Sequence, residues 1–446
     1  MSHRRSALRK RISLLIAFIL SATAAASLTQ SPAQADPPLT IVSLTFDDGN
    51  ANQMTAGSIL ATYGAKGTFF VPSGFLNTSG YLTTANLATL AADDHEIGGH
   101  TLTHPDLTTI PADEAARQIC NDRVALLNLG YSVRSFAYPF ASLSPAVESI
   151  AEDCGYNSAR ALGDLAFPGD PDCTGCPHAA DLPPDDPYAT VALPQVESSW
   201  TLSDLQGAVT RAEVTGGWLQ FTFHNVCTSG CALNVTPTVL EDFVQWLVAR
   251  ETTHNTVIQT VGDTVGGSVQ AAVNGPVATP AGPGVNAVVN PGMETLNADG
   301  SPFCWMKGGY GDNTAVLDLA SSGRTGSKAG RVTMSSYVDG DAKWLPQFDL
   351  GGCSPTVVPG HTYSLRQWYT ATGVTQFAVY LRNSAGVWNY WTSSPWFAAA
   401  STYTQATWTT PTIPAGMTGL SFGLNIFGNG TLVTDDTEMY DSVGAP

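Results

Sequence analysis

From Thr264 to Met293 the chain carries not one charged residue, while Gly266, Gly267, Gly275, Pro276, Pro280, Gly282, Pro283 and Gly284 crowd into the same stretch. A segment of this composition has no apolar face from which to build a core, so it divides the chain and reads as a flexible linker. A division is also expected from length. Domains usually hold about 100–200 residues, and 446 is too many for one ordinary core.

The two sides of the divide have different periodicities. Upstream, strand-like runs (Ile41 to Phe46, Thr68 to Val71, Glu96 to Gly98, Phe136 to Tyr138, Leu219 to Phe223, Val257 to Thr260) alternate with helix-like stretches. The latter lie near Met54 to Tyr63, Thr84 to Ala92, Pro111 to Leu129, Ser203 to Val214 and Val239 to Arg250. Alternation of this kind predicts an α/β fold, a distorted (β/α) barrel whose chemistry gathers at the C-terminal ends of the strands. Downstream, Thr362 to Tyr369, Gln376 to Leu381, Thr404 to Trp408 and Gly419 to Ile426 are short alternating runs between turn residues. They predict an all-β jelly-roll sandwich. The expected organisation is an export signal over 1–35, a barrel over 36–263, a Gly/Pro linker over 264–285 and a sandwich over 286–446.

The export signal rests on Arg4, Arg5, Arg9, Lys10 and Arg11, a short apolar run from Ile12 to Leu20, and the small-x-small end Ala33-Gln34-Ala35. The apolar run falls short of the roughly 20 residues that span a bilayer, so a secreted, extracellular protein without a membrane anchor is expected. Removing the five basic residues leaves 14 Lys and Arg against 37 Asp and Glu. Nucleic acid is a poor partner for such a chain, and a neutral polysaccharide a better one. An oxidising destination makes disulfides the expectation for the eight cysteines, with Cys120–Cys154 and Cys304–Cys353 as proposed pairs. Cys173-x-x-Cys176 and Cys227-x-x-x-Cys231 read as disulfides too, a structural zinc site being the alternative.

Asp47 and Asp48 end the first strand, followed by Gly49 where the chain turns. Adjacent carboxylates repel, so a site that keeps both ionised usually supplies a cation. His100 and His104, four residues apart, follow the third strand and can converge on one ion if the segment is helical or tightly turned. His224 closes the strand Phe221-Thr222-Phe223. Each motif alone has a bland reading as turn, surface pair or core imidazole. Together they fall at C-terminal strand ends, where a barrel keeps its active site.

In order along the chain, Thr45-Phe46-Asp47-Asp48-Gly49, His100-Thr101-Leu102-Thr103-His104, Phe136-Ala137-Tyr138-Pro139-Phe140 and Phe221-Thr222-Phe223-His224 resemble the motifs of polysaccharide deacetylases, the NodB-homology group or carbohydrate esterase family four. The resemblance covers about residues 40 to 262. It implies a divalent metal, with zinc suited to the ligands, held by Asp48, His100 and His104. It further implies Asp47 as general base, His224 as general acid and the backbone N–H of Phe140 as the group facing the oxyanion. The chain departs from the pattern at Ala137, where many members carry an arginine. Arg134 and Arg160 are the candidates to orient Asp47 instead. Ala141 stands where glycine is frequent, and the fourth, Asp-rich motif has no convincing copy, with Glu197 the candidate in its place.

Asn290-Pro291-Gly292-Met293-Glu294 and Asp435-Asp436-x-x-Met439-Tyr440-Asp441 look like the terminal strands of carbohydrate-binding jelly rolls, which implies a structural calcium there. Trp388, Tyr390 and Trp391 cannot all point inward from one strand and are candidate sugar-stacking residues. The leading expectation is hydrolysis of N-acetyl groups on chitin or another poly-N-acetylhexosamine. An O-acetyl esterase acting on acetylated xylan and a non-catalytic carbohydrate-binding protein are the alternatives. Oligomeric state is not legible in the sequence.

Overall fold

A buried parallel strand with a helix on each side should read as a continuous apolar run, and Thr40-Ile-Val-Ser-Leu-Thr-Phe46 (β1) is buried along its whole length. A computed structural model describes residues 37–446 apart from 168–172 and 174. The expected export segment lies outside the described residues. The first half continues through α1 (Gln53–Thr62), β2 (Thr68–Val71), α2 (Thr84–Ala92), β3 (Glu96–Gly99), α3 (Ala112–Asn128), β4 (Ser135–Ala137), α4 (Pro145–Asp153), β5 (Ser158–Asp164) and β6 (Thr190–Ala192). It is completed by α5 (Leu202–Thr215), β7 (Gly217–Phe223), the short pair β8 (Asn225–Val226) and β9 (Asn234–Val235), α6 (Pro237–Val248), β10 (Thr256–Ile258) and α7 (Val261–Val265).

The large sheet is parallel throughout, in the order β10-β1-β2-β3-β4-β5-β6, with β7 along the other side of β1. It curls until β6 and β7 face each other, where Leu193 N–H donates to Gln220 C=O (3.1 Å) and Val196 N–H to Thr222 C=O (2.8 Å). The result is the expected distorted barrel. Most expected elements are found within a few residues of their expected positions, while α4, β5, β6, β8, β9 and α7 have no counterpart among them. Cys120 is bonded to Cys154 beneath this sheet, joining α3 to the end of α4.

The second half is antiparallel: β11 (Trp305–Tyr310), β12 (Thr314–Ala320), β13 (Ala329–Ser335), β14 (Asp341–Pro346), β15 (Tyr363–Ala371), β16 (Thr375–Asn383), β17 (Trp388–Ser393), β18 (Ala400–Thr409), β19 (Met417–Ile426) and β20 (Gly430–Asp441). Two five-stranded sheets, β11-β14-β19-β16-β17 and β12-β13-β20-β15-β18, pack face to face around Trp344, Leu365, Tyr369, Phe377, Val379 and Phe422. This is the all-β half that the alternation predicts. All eight cysteines are paired, as Cys120–Cys154, Cys173–Cys176, Cys227–Cys231 and Cys304–Cys353, which removes the zinc alternative. Among the described residues no helix is long and apolar enough to cross a membrane.

The flexible linker is the expectation that changes. Pro37–Pro446 form a single compact unit. The segment after α7 lies along the barrel: Arg123 donates to the carbonyls of Gln270 (2.8 Å) and Ala271 (3.0 Å), and Asn121 Oδ1 accepts from Gly275 N–H (2.9 Å). Gly275 lies so close that a Cβ there would come within 2.7 Å of Arg117 Cα. An uncharged segment needs partners for its backbone if it is to be buried, and the donors and acceptors of α3 provide them.

Candidate active site

Three left-handed turns aim the side chains. Asp48 has φ +74°, Thr101 +67° and His104 +59°, conformations that are uncommon for residues with a Cβ and that gather at functional sites. At the end of β3, Gly99 leaves no room for a side chain, since a Cβ would lie 1.9 Å from the Tyr156 hydroxyl and 2.8 Å from Asp122 Oδ2. The His100–His104 segment is thus a tight turn, the second of the two geometries that let the histidines converge. Thr101 Oγ1 closes it by accepting from His104 N–H (2.9 Å).

His100 Nδ1 lies 2.7 Å from the Ala137 carbonyl, so Nδ1 carries the proton and Nε2 presents its lone pair. That lone pair faces Asp48 Oδ1 at 3.4 Å and His104 Nε2 at 3.2 Å, and His104 Nε2 is 3.2 Å from the same Asp48 oxygen. Donors about 2.0–2.1 Å from a tetrahedral ion stand roughly 3.3 Å apart, so this triangle fits a divalent metal. Among the described residues it is the sole group of three or more His, Cys, Asp or Glu side chains that does so. Burial works to raise the Asp48 pKa, but when the imidazoles are protonated the hydrogen bonds from His100 and His104 and the charge of His100 hold it well below the usual carboxylate range. Burial works to lower that of His100, and the Asp48 hydrogen bond with the charges of Asp47 and Asp48 raise it instead. A cation among these groups would meet the same negative field.

Asp47 is 4% exposed and points to the other side of the turn. Its Oδ2 is 2.5 Å from Arg160 Nη2, while Oδ1 is buried without a partner among the described residues. Arg160 is itself 2% exposed and lies over the Phe70 ring. In the parallel pairing of β4 and β5, Ala137 and Arg160 are direct register partners. The guanidinium absent from position 137 therefore enters the site from the next strand. Arg134, the other candidate, pairs with Asp263 (2.8 Å), away from Asp47.

His224 follows β7, which is brought alongside β1 where Asp47 N–H donates to Phe223 C=O (2.9 Å). Gln53 Nε2 bridges the two ends, donating to the carbonyls of Asp47 and His224. Burial pushes the His224 pKa down against the opposing pull of Asp47 and Asp48, and its Nδ1 has no partner among the described residues. Glu197 does not reach it; its carboxylate lies beside Gln195 (3.5 Å). Phe140, at φ +57° and 67% exposed, sets its ring edge against His104 at 4.8 Å. Ala141 is left-handed too, which accounts for glycine being favoured at such a position.

In the sandwich, Trp388 stacks on Phe348 (4.7 Å, 9°) and Trp391 packs on the core, whereas Tyr390 is 59% exposed. Tyr310 and Trp396 are exposed as well and had no distinguishing signal, because exposure depends on strand register. The acidic residues expected at a calcium site are already engaged: Glu294 accepts from Ser327 and Lys328 N–H, and Asp435 from Arg324 and Thr325 N–H.

Residues 34–159 match the family model described as polysaccharide deacetylase. A chitin deacetylase from Pestalotiopsis sp. is 30% identical over 173 residues, 36% of this chain and 58% of that protein. The peptidoglycan-N-acetylglucosamine deacetylase PgdA of Listeria monocytogenes is 28% identical over 117 residues, 26% of this chain and 24% of that protein. The chain spans less than two thirds of the length of these curated relatives. Among solved structures, a family 4 acetyl xylan esterase from Clostridium thermocellum aligns with 21% identity and a TM-score of 0.36, over 50% of this chain and 90% of that one. The matched segment, residues 34–159, contains Asp47, Asp48, His100, His104 and Phe140, so the part of the chain that is similar to polysaccharide deacetylases is the part that carries the metal triangle.

Proposed function

We propose that this chain is a secreted, divalent-metal-dependent deacetylase that removes N-acetyl groups from a glycan such as chitin or another poly-N-acetylhexosamine. The observation that carries the reading is the Asp48, His100, His104 triangle with Asp47 and His224 beside it at one end of the barrel. A divalent ion held by the triangle, zinc by ligand type, would supply Lewis acidity toward the acetyl carbonyl and acidify water. Asp47 takes the water's proton at Oδ1, the oxygen left without a partner, while Arg160 fixes Oδ2. The Phe140 N–H faces the developing oxyanion. His224 delivers a proton to the departing sugar nitrogen, and its lowered pKa makes it a ready donor once protonated. Four disulfides suit an oxidising compartment.

The sandwich is proposed to bind the polymer, with exposed Tyr390 a stacking surface. Acetate release from N-acetylated glycans and from acetylated xylan, with chelator and then zinc re-added, tests the reading. Metal-dependent release from the N-acetylated polymers is expected. Release from xylan alone would make the leaving atom oxygen, and no release from any polymer with any metal would leave a carbohydrate-binding protein.

A further inference from the structure

Helix α3 supplies four of the hydrogen bonds that hold the His100–His104 turn. Asp122 Oδ2 accepts from His100 N–H (3.0 Å), the Gln118 carbonyl from Leu102 N–H (3.0 Å), and Gln118 Oε1 from Thr103 N–H (2.9 Å). Gln118 Nε2 donates to Thr103 Oγ1 (2.8 Å) and, at 3.3 Å, to Glu114 Oε1. Glu114 is 1% exposed, and its remaining partners come largely from the other half of the molecule. Oε1 accepts from Leu350 N–H (2.7 Å) and Oε2 from Gly352 N–H (3.2 Å), with Arg117 Nε at 3.0 Å.

The sandwich loop that offers these amides is itself fixed. Asp349 accepts from the N–H groups of Gly351, Cys353 and Ser354, Arg382 donates to the Asp349 carbonyl (2.6 Å), and Cys353 is bonded to Cys304. A second sandwich loop meets the turn directly. A Cβ on Gly386 would lie 2.6 Å from Leu102 Cδ2, and one on Gly74, whose N–H donates to the Leu102 carbonyl (2.9 Å), would lie 3.2 Å from the Ala385 carbonyl. The seam also encloses an open cavity of about 750 Å³ lined in part by Leu102, Arg117, Leu350 and Arg382.

We propose that the sandwich is a positioning element of the metal centre, its Leu350 and Gly352 amides holding Glu114, and Glu114 with Gln118 holding Thr103 between the two histidines. This rests on the reading of Asp48, His100 and His104 as metal ligands. Outer groups that orient ligands typically change metal affinity 10–100-fold when lost. The sandwich then does more than bring the enzyme to a polymer: it keeps two imidazoles at ligand spacing.

The test uses the full chain and Co2+ as the probe, with affinity from chelator competition and ligand geometry from the visible spectrum. Gln118→Leu removes both side-chain bonds to Thr103, and Gly386→Val disturbs the seam by a substitution in the sandwich, its added side chain pressing on Leu102 and Leu350. Each is expected to weaken Co2+ binding about 10–100-fold and to change the spectrum. Thr103→Ala should show a smaller loss that Thr103→Ser restores. Arg331→Ala, which breaks a half-exposed pair with Asp318 on the far sheet, should leave both readouts unchanged. Wild-type affinity and spectrum in Thr103→Ala and in folded Gly386→Val would overturn the inference while leaving the ligand set intact. A wild-type chain that binds no Co2+ would overturn both.

Discussion

The barrel and the sandwich bury comparable polar chemistry but finish it differently. In the sandwich, Lys343 and Asp341, 1% and 3% exposed, pair at 2.6 Å, and Asn425 donates to the second Asp341 oxygen at 2.7 Å. Among the described residues twelve buried side-chain atoms of the barrel lack a partner, Asp47 Oδ1 and His224 Nδ1 at the candidate site among them, whereas Ser442 Oγ is the one sandwich side-chain atom in that condition. An unpaired buried polar atom costs about 1–3 kcal/mol, so a fold keeps such atoms where something else is meant to meet them. At Asp47 and His224 the unpaired atoms stand beside the metal triangle, where an occupant would meet them, and the sandwich's buried charges are built for each other.

The largest way to break this contrast is at the triangle. His100→Ala, His104→Ala and Asp48→Asn should each lose bound metal together with activity, since each removes one of three ligands. A full equivalent of metal retained by His104→Ala, measured by elemental analysis, would take that residue out of the site. Asp47→Asn should keep its metal and lose about 10²–10⁴ in rate. Loss of metal with activity restored by excess ion would make Asp47 a ligand.

Next in size is Arg160. Removing one partner of a buried pair costs about 3–5 kcal/mol because the other charge is stranded, so Arg160→Met should lower both stability and rate, with Arg160→Lys recovering part. Arg134→Met should leave the rate near wild type, because its partner Asp263 lies away from Asp47. A reversed result would restore Arg134 as the orienting group.

How much of this could be read beforehand follows from what each residue's role depends on. The Asp47-Asp48, His100 and His104, and His224 motifs are local, and their strand-end positions came from simple alternation. Strand β5 did not, because Ser158-Ala-Arg-Ala-Leu-Gly-Asp164 has an arginine where a buried strand should be apolar. That arginine answers the absence at Ala137, a fact visible only once β4 and β5 are paired. The docked linker is hidden for a similar reason: its own residues say nothing of the donors on α3 that hold it. Among the aromatics, alternation says only that Trp388, Tyr390 and Trp391 cannot all face inward; packing puts Trp391 on the core, leaves Tyr390 exposed and stacks Trp388 on Phe348.

That last difference gives a smaller, separable pair of effects. Trp388→Ala should destabilise the sandwich, since an aromatic pair is worth about 0.5–1.5 kcal/mol beyond its buried area. Tyr390→Ala should leave stability unchanged and weaken binding to insoluble polysaccharide. Urea unfolding and pull-down on the polymer distinguish the two. Equal loss of binding in both, with no loss of stability in Trp388→Ala, would return Trp388 to the sugar-binding face.

The smallest expected effect lies at the opposite end of the barrel, at Glu96 on the first residue of β3. Its carboxylate is buried and accepts from Thr68 Oγ1 (2.9 Å), Ser135 Oγ (2.7 Å) and Gly262 N–H (2.8 Å). Burial nevertheless raises its pKa above the ordinary glutamate value of 4.5, against those hydrogen bonds and the nearby Arg134 charge. For an acid raised in the folded state, both states are protonated below about 4.5, and the contribution to stability is fully present there. As pH climbs, the unfolded chain releases its proton first, so stability falls until the folded carboxyl has also ionised. Glu96→Gln stays neutral throughout, so the wild-type advantage over it should shrink with rising pH across that window. A tenfold change in proton affinity corresponds to about 1.4 kcal/mol. Urea unfolding of both proteins from acid to neutral pH measures the difference. A constant difference would mean that the three donors compensate the carboxylate in full.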